Sequence, residues 1–124
     1  YQSTIGDIQM TNINGLPPEQ YSVATKVLAY AQAKDSNFSF DPATIMAICN
    51  CIIAVVKLLY MCYGKSGTVN RIRKPSLLQK IILKREVRKH FSKEERKTIY
   101  ASMLGVCQSL SETELNKLTD SIQE

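Results

Sequence analysis

The stretch Asp41 to Tyr63, DPATIMAICNCIIAVVKLLYMCY, holds the longest run of apolar side chains in the chain and decides how the rest must be arranged. It opens as a helix. Asp41 can accept hydrogen bonds from the free amides of a first turn, and Pro42 suits the first helical position, where its missing N–H costs nothing. From there the side chains are apolar on nearly every face for about six turns, interrupted by Thr44, Asn50 and Lys57. Such a helix needs cover, from other helices or from lipid.

Either cover is geometrically available. In a bundle, the narrow stripe of Ala43, Ala47, Asn50, Ala54 and Lys57 admits a close neighbour or faces outward, while Ile45, Ile48, Ile52, Val55, Val56, Leu58 and Leu59 fill the remainder. In a bilayer, residues 43–63 rise about 30 Å, the thickness of the hydrocarbon layer. Tyr60 and Tyr63 would then lie at the interface, Lys57 would snorkel, and the basic residues beyond would mark the cytoplasmic side. Asn50 near the middle and Lys57 well inside the end weigh against the span. So do the remaining helices, whose apolar faces would lose their main partner. The expected architecture is all-α: one domain over 17–124, a compact bundle of about five helices around the hydrophobic helix 42–63, preceded by an extended arm over 1–16.

At 124 residues the chain is long enough to bury a core without a metal or disulfide staple. Cys49, Cys51 and Cys62 lie in the central helix, the habit of buried free thiols. Cys49 and Cys51 point about 200° apart on a helix, so they neither pair nor share a metal, and the usage fits a reducing compartment. The amino end lacks a basic start followed by an apolar run, so it does not read as a secretion signal. The net charge of +5 is concentrated. Residues 1–64 carry −1, residues 65–97 carry +9 and residues 98–124 carry −3. A block of that sign suits phosphate, an acidic partner or an anionic membrane face.

Residues 1–16 are polar, contain Gly6 and Gly15, and show no helical spacing. Pro17 and Pro18 then open a first helix with Tyr21, Ala24, Val27, Leu28 and Ala31 on one stripe, ending near Asp35. Gly64 to Lys74, GKSGTVNRIRK, reads as a loop. Its GKSGT resembles the end of a phosphate-binding loop, but Leu59 stands where the pattern needs glycine, and a helix comes before it rather than a strand. A third helix runs from Pro75 to about Phe91. Its arc is apolar at Leu77, Leu78, Ile81 and Ile82, then cationic at Lys84, Arg85, Arg88 and Lys89. Ser92 and Ser111 each start a further helix with a capping box, ending in Glu95 and Glu114 respectively. The fourth helix presents Ile99, Tyr100, Met103, Leu104 and Cys107, and the fifth Leu115, Leu118 and Ile122.

Little of this is catalytic. His90 is the single histidine and has no acid or thiol at a working distance in sequence, no zinc-like ligand spacing exists, and Glu94, Glu95, Glu112 and Glu114 are accounted for by helix amino ends. Neither an enzyme nor a cofactor is expected. The residues singled out are cations: Arg71, Arg73, Lys74, Lys84, Arg85, Arg88 and Lys89, as a patch for phosphates or an acidic protein. No aromatic platform accompanies them in sequence, so nucleic-acid binding through them is expected to be weakly selective and salt-sensitive. The last three helices are also compatible with a helix-turn-helix, although the most basic helix is not the one that motif inserts into a groove.

The order of Asp41-Pro42-Ala43-Thr44-Ile45, an apolar helix, a short link, and Lys74-Pro75-Ser76-Leu77-Leu78-Gln79-Lys80 running into Lys84-Arg85-Glu86-Val87-Arg88 resembles small proteins encoded among tailed-bacteriophage structural genes. The likeness covers about residues 41–124. It implies a virion or assembly component present in many copies, found in the virion or the host cytoplasm, and carries over no functional residue. The expected protein is therefore a structural one that assembles with its own copies or with other structural proteins. Its basic patch would face an acidic partner or a nucleic-acid backbone. A single-span membrane protein and a non-specific DNA-binding helical module are the alternatives.

Overall fold

A computed structural model describes residues 15–123. Five helices follow in order: α1 (Pro18–Lys34), α2 (Pro42–Arg73), α3 (Leu77–His90), α4 (Lys93–Ser109) and α5 (Glu112–Gln123). The arm expected over 1–16 lies outside the described residues as far as residue 14. Leu16 is buried against the bundle, so the domain reaches past the expected boundary.

The first limb of α2 is the hub. Asp41 Oδ1 accepts from Thr44 N at 2.7 Å with Pro42 in the first turn, the start its sequence indicates. Ile45, Ile48, Cys49, Cys51, Ile52, Val56 and Leu59 face inward and are buried. The stripe of Ala43, Asn50 and Lys57 faces solvent, with Ala47 and Ala54 half-covered beside it. Helix α2 packs on α1, α3, α4 and α5, and α1 closes the far side by packing on α4 and α5. Leu28, Ile99, Met103, Leu115 and Leu118 meet in the middle with almost no exposure, each giving about 1.5–3 kcal/mol by leaving water.

The expected loop from Gly64 to Lys74 is instead helical from Lys65 to Arg73. Gly64 breaks the helix with φ 73° and ψ −175°, a backbone region open to glycine and strained for other residues. Gly67 serves the same elbow differently: a Cβ there would lie 2.6 Å from Tyr63 Cβ. Thr68, fully buried, donates to Gly64 O at 2.7 Å, and Lys65 Nζ pairs with Asp120 Oδ1 at 2.8 Å on α5. The GKSGT motif is thus the corner of a bent helix. Two glycines made it look like a loop because glycine frequency signals a break without giving its length.

Helix α3 starts two residues later than expected, with Ser76 as its cap and Gln79 closing the reciprocal pair. The face it turns to the bundle is Gln79, Leu83 and Val87. That leaves the greasy-to-basic arc outside: Leu77, Leu78 and Ile81 are 75%, 63% and 53% exposed. Cys62 also departs from expectation, being exposed while Cys49 and Cys51 are buried.

Candidate functional site

Helices α3 and α4 are joined by Phe91 and Ser92 alone. Phe91 is buried and its N–H closes α3 on Val87 O at 3.0 Å, while Ser92 N–H and Oγ both donate to Glu95 Oε1 to open α4. A link that short makes the two helices neighbours, so the outer stripe of one stands beside the outer stripe of the other. Between them lies a cleft of about 540 Å³. Lys84, Val87 and Arg88 form one wall, and Lys93, Arg96, Lys97, Tyr100 and Ala101 the other.

Five cations therefore share one concavity, and among the described residues no carboxylate lines it. Lys84, Arg88, Lys93 and Lys97 are exposed, whereas Arg96 is half-buried and donates through Nε to Phe91 O at 3.1 Å, which fixes it at the apex. Of the acids along these helices, Glu95 caps α4 and Glu86 Oε2 takes Lys89 Nζ at 3.0 Å, while Glu94 is exposed on α4 beside Lys93 and is not part of the cleft lining. Like charges so gathered cost self-repulsion, which a bound polyanion relieves. Tyr100 stands in the same cleft with Lys84 Nζ 5.0 Å from its ring centroid. Partial burial raises its phenol above the usual 10.0, so the ring is uncharged at neutral pH.

The sequence-predicted patch is divided by the fold. Lys84 and Arg88 line the cleft; Arg85 is exposed on α3 outside its lining and Lys89 is engaged with Glu86. Arg71 is turned onto the Tyr63 ring, 3.7 Å from its centroid, and Arg73 and Lys74 are exposed at the end of α2. Lys93, Arg96, Lys97 and Tyr100 were not among the predicted residues. Their signal was present: 93, 96, 97 and 100 form one stripe at helical spacing, directly after a break too short to separate α4 from α3. The expectation that no aromatic accompanies the basic residues is corrected by Tyr100, which is remote from Lys84 in sequence and adjacent in space.

A second concavity, about 50 Å³, is walled by apolar residues including Ile52, Leu59, Met103 and Leu118, with Arg71 at its edge. Gln79 also lines it; Gln79 Oε1 accepts from Ser76 N–H, which turns Nε2 away, and that buried nitrogen has no hydrogen-bond partner among the described residues. Its size suits water better than a ligand, whereas the cleft falls within the roughly 300–1,000 Å³ range of binding sites. Among the described residues no group of His, Cys, Asp or Glu side chains is placed to hold a metal ion. The chain matches no protein-family model, no curated protein and no solved structure.

Proposed function

We propose that this chain is a non-enzymatic structural protein, of the kind its sequence resembles among phage virion and assembly components, that holds a nucleic-acid backbone in the α3–α4 cleft. The observation carrying this reading is the convergence of Lys84, Arg88, Lys93, Arg96 and Lys97 on one concavity without a lining carboxylate. Phosphate contacts of that type give affinity and position without reading bases, and release counterions on binding. The exposed Leu77, Leu78 and Ile81 on the same helix supply an apolar face for a protein neighbour, another copy or another structural protein.

The test is retention of labelled DNA and of polyglutamate by the intact protein across a salt series. With five phosphate contacts the log–log salt slope approaches about −4.5 on duplex DNA or about −3.5 on a single strand, and Lys93→Glu with Lys97→Glu makes it shallower while cutting affinity strongly. No DNA retention at low salt, or retention unchanged by the double reversal, overturns the reading. Preference for polyglutamate assigns the cleft to an acidic protein.

A single-span membrane protein is the second reading, favoured by an 18-residue window of α2 whose mean hydropathy is 2.2. The burial of Ile45, Ile48, Ile52, Val56 and Leu59 among the other helices supports the bundle instead. Purification without detergent separates the two: a chain that stays dispersed and helical excludes the span.

A further inference from the structure

Cations alone fit any polyanion; an aromatic ring set among them narrows the choice. Tyr100 is half-buried in the cleft wall, one helical turn beyond Arg96 and Lys97 and across from Lys84 and Arg88. The ligand best matched to such a wall is a polyanion that also carries flat apolar faces. Nucleic-acid bases are such faces, and in a duplex they are stacked on one another inside the helix. A duplex is read by an element that protrudes into its groove. The surface here is concave and lies between two helices, so it receives a strand and offers nothing to insert.

We infer that the cleft binds single-stranded nucleic acid, with one base against the Tyr100 ring and the flanking phosphates held by the α3 and α4 cations. This rests on the reading of the cleft as a backbone-binding surface. Lys84 has two stations. In the free protein its ammonium lies over the ring at 5.0 Å; with a base on that face, the flexible stem carries the ammonium to a phosphate. The cleft lining contains no Asn, Gln, Asp or Glu, the side chains that make paired contacts to adenine or accept from cytosine. With these cations engaged on phosphates and not on guanine edges, binding is tolerant of base sequence, as stacking platforms are.

The experiment uses the intact chain and three fluorescein-labelled probes of about 15 nucleotides: oligothymidylate, a strand of the same length with abasic sites throughout, and a duplex. The abasic strand keeps the phosphates and removes the stacking faces. Fluorescence anisotropy should show oligothymidylate binding about 10-fold more tightly than the abasic strand, and more tightly than the duplex. Tyr100→Leu should erase the advantage of oligothymidylate over the abasic strand, and Tyr100→Phe should keep it.

Equal affinity for oligothymidylate and the abasic strand, or tighter binding of the duplex, overturns the single-strand inference and leaves the backbone-binding reading standing. No binding to any probe at low salt overturns both. Should Tyr100→Leu lose its helical structure, the comparison of probes on the unaltered protein decides alone.

Discussion

The Arg71 guanidinium lies 3.7 Å from the centroid of the Tyr63 ring, and the two residues stand on opposite sides of the break at Gly64. Their stacking ties the second limb of α2 back to the first. With the Lys65–Asp120 pair and the Thr68 hydroxyl bonded to Gly64 O, it holds a bend that the backbone itself permits only through glycine.

Gly64→Ala is expected to destabilise the fold by about 1–3 kcal/mol through backbone strain alone, because an added Cβ there meets nothing within 4 Å. Gly67→Ala is expected to cost a similar about 1–3 kcal/mol for a different reason, overpacking against Tyr63. Urea unfolding measures both. A Gly64→Ala protein as stable as the parent would mean that the limbs of α2 are not joined by this elbow.

Lys26 Nζ and Glu114 Oε2 are 2.6 Å apart and connect α1 to α5. The Glu114 carboxyl is held down to about 2, first by the Lys26 ammonium and then by the Ser111 amide it caps, against an ordinary value of 4.5. The folded protein therefore takes up this proton less readily than the unfolded chain. Its contribution is complete above about pH 4.5 and is lost as pH falls through about 2. Both groups are partly exposed, so the effect is small and screened by salt. Glu114→Gln keeps an acceptor for Ser111 and removes the charge; its urea midpoint is expected to fall less between these pH values than that of the parent.

The thiols are expected to react in order of burial. Cys62 is exposed and should give the fast phase with a disulfide reagent, which Cys62→Ser removes. Cys49 and Cys51 are buried; loss of solvation pushes their thiols up to about 11 and about 12, the latter with help from Glu86, so both should stay silent until unfolding. Fast modification of all the thiols in native buffer would contradict the packing of α2.

Helix starts were the most legible part of the sequence. Asp41 with Pro42, Ser92 with Glu95 and Ser111 with Glu114 each form the bonds their spacing indicates, because a cap depends on residues three apart. The stripe of Ala24, Val27, Leu28 and Ala31 was legible for the same reason. The elbow was not, since a glycine and a lysine after an apolar run mark a break equally well before a loop or a second helix. The cleft was half legible. Lys84 and Arg88 stand out as part of a dense basic run, whereas Lys93, Arg96 and Lys97 are interrupted by Glu94 and Glu95, acids that suit a helix start and dilute the basic signal. Which cations share a concavity is a property of two helices, and no single-helix periodicity contains it.

Leu77 and Leu78 open α3 with most of their surface in water, although the opposite face of that helix is committed to the bundle through Leu83 and Val87. Replacing both by serine removes no core contact, so stability should change by no more than about 0.5 kcal/mol per site. If the pair contributes to assembly, the double variant should sediment as a smaller species than the parent at equal concentration. The cations of the cleft are untouched by the change, so DNA retention per chain should stay the same. Equal sedimentation of parent and variant would show that assembly uses another face. A large loss of stability would show that these leucines are covered within the fold, contrary to the exposure of α3.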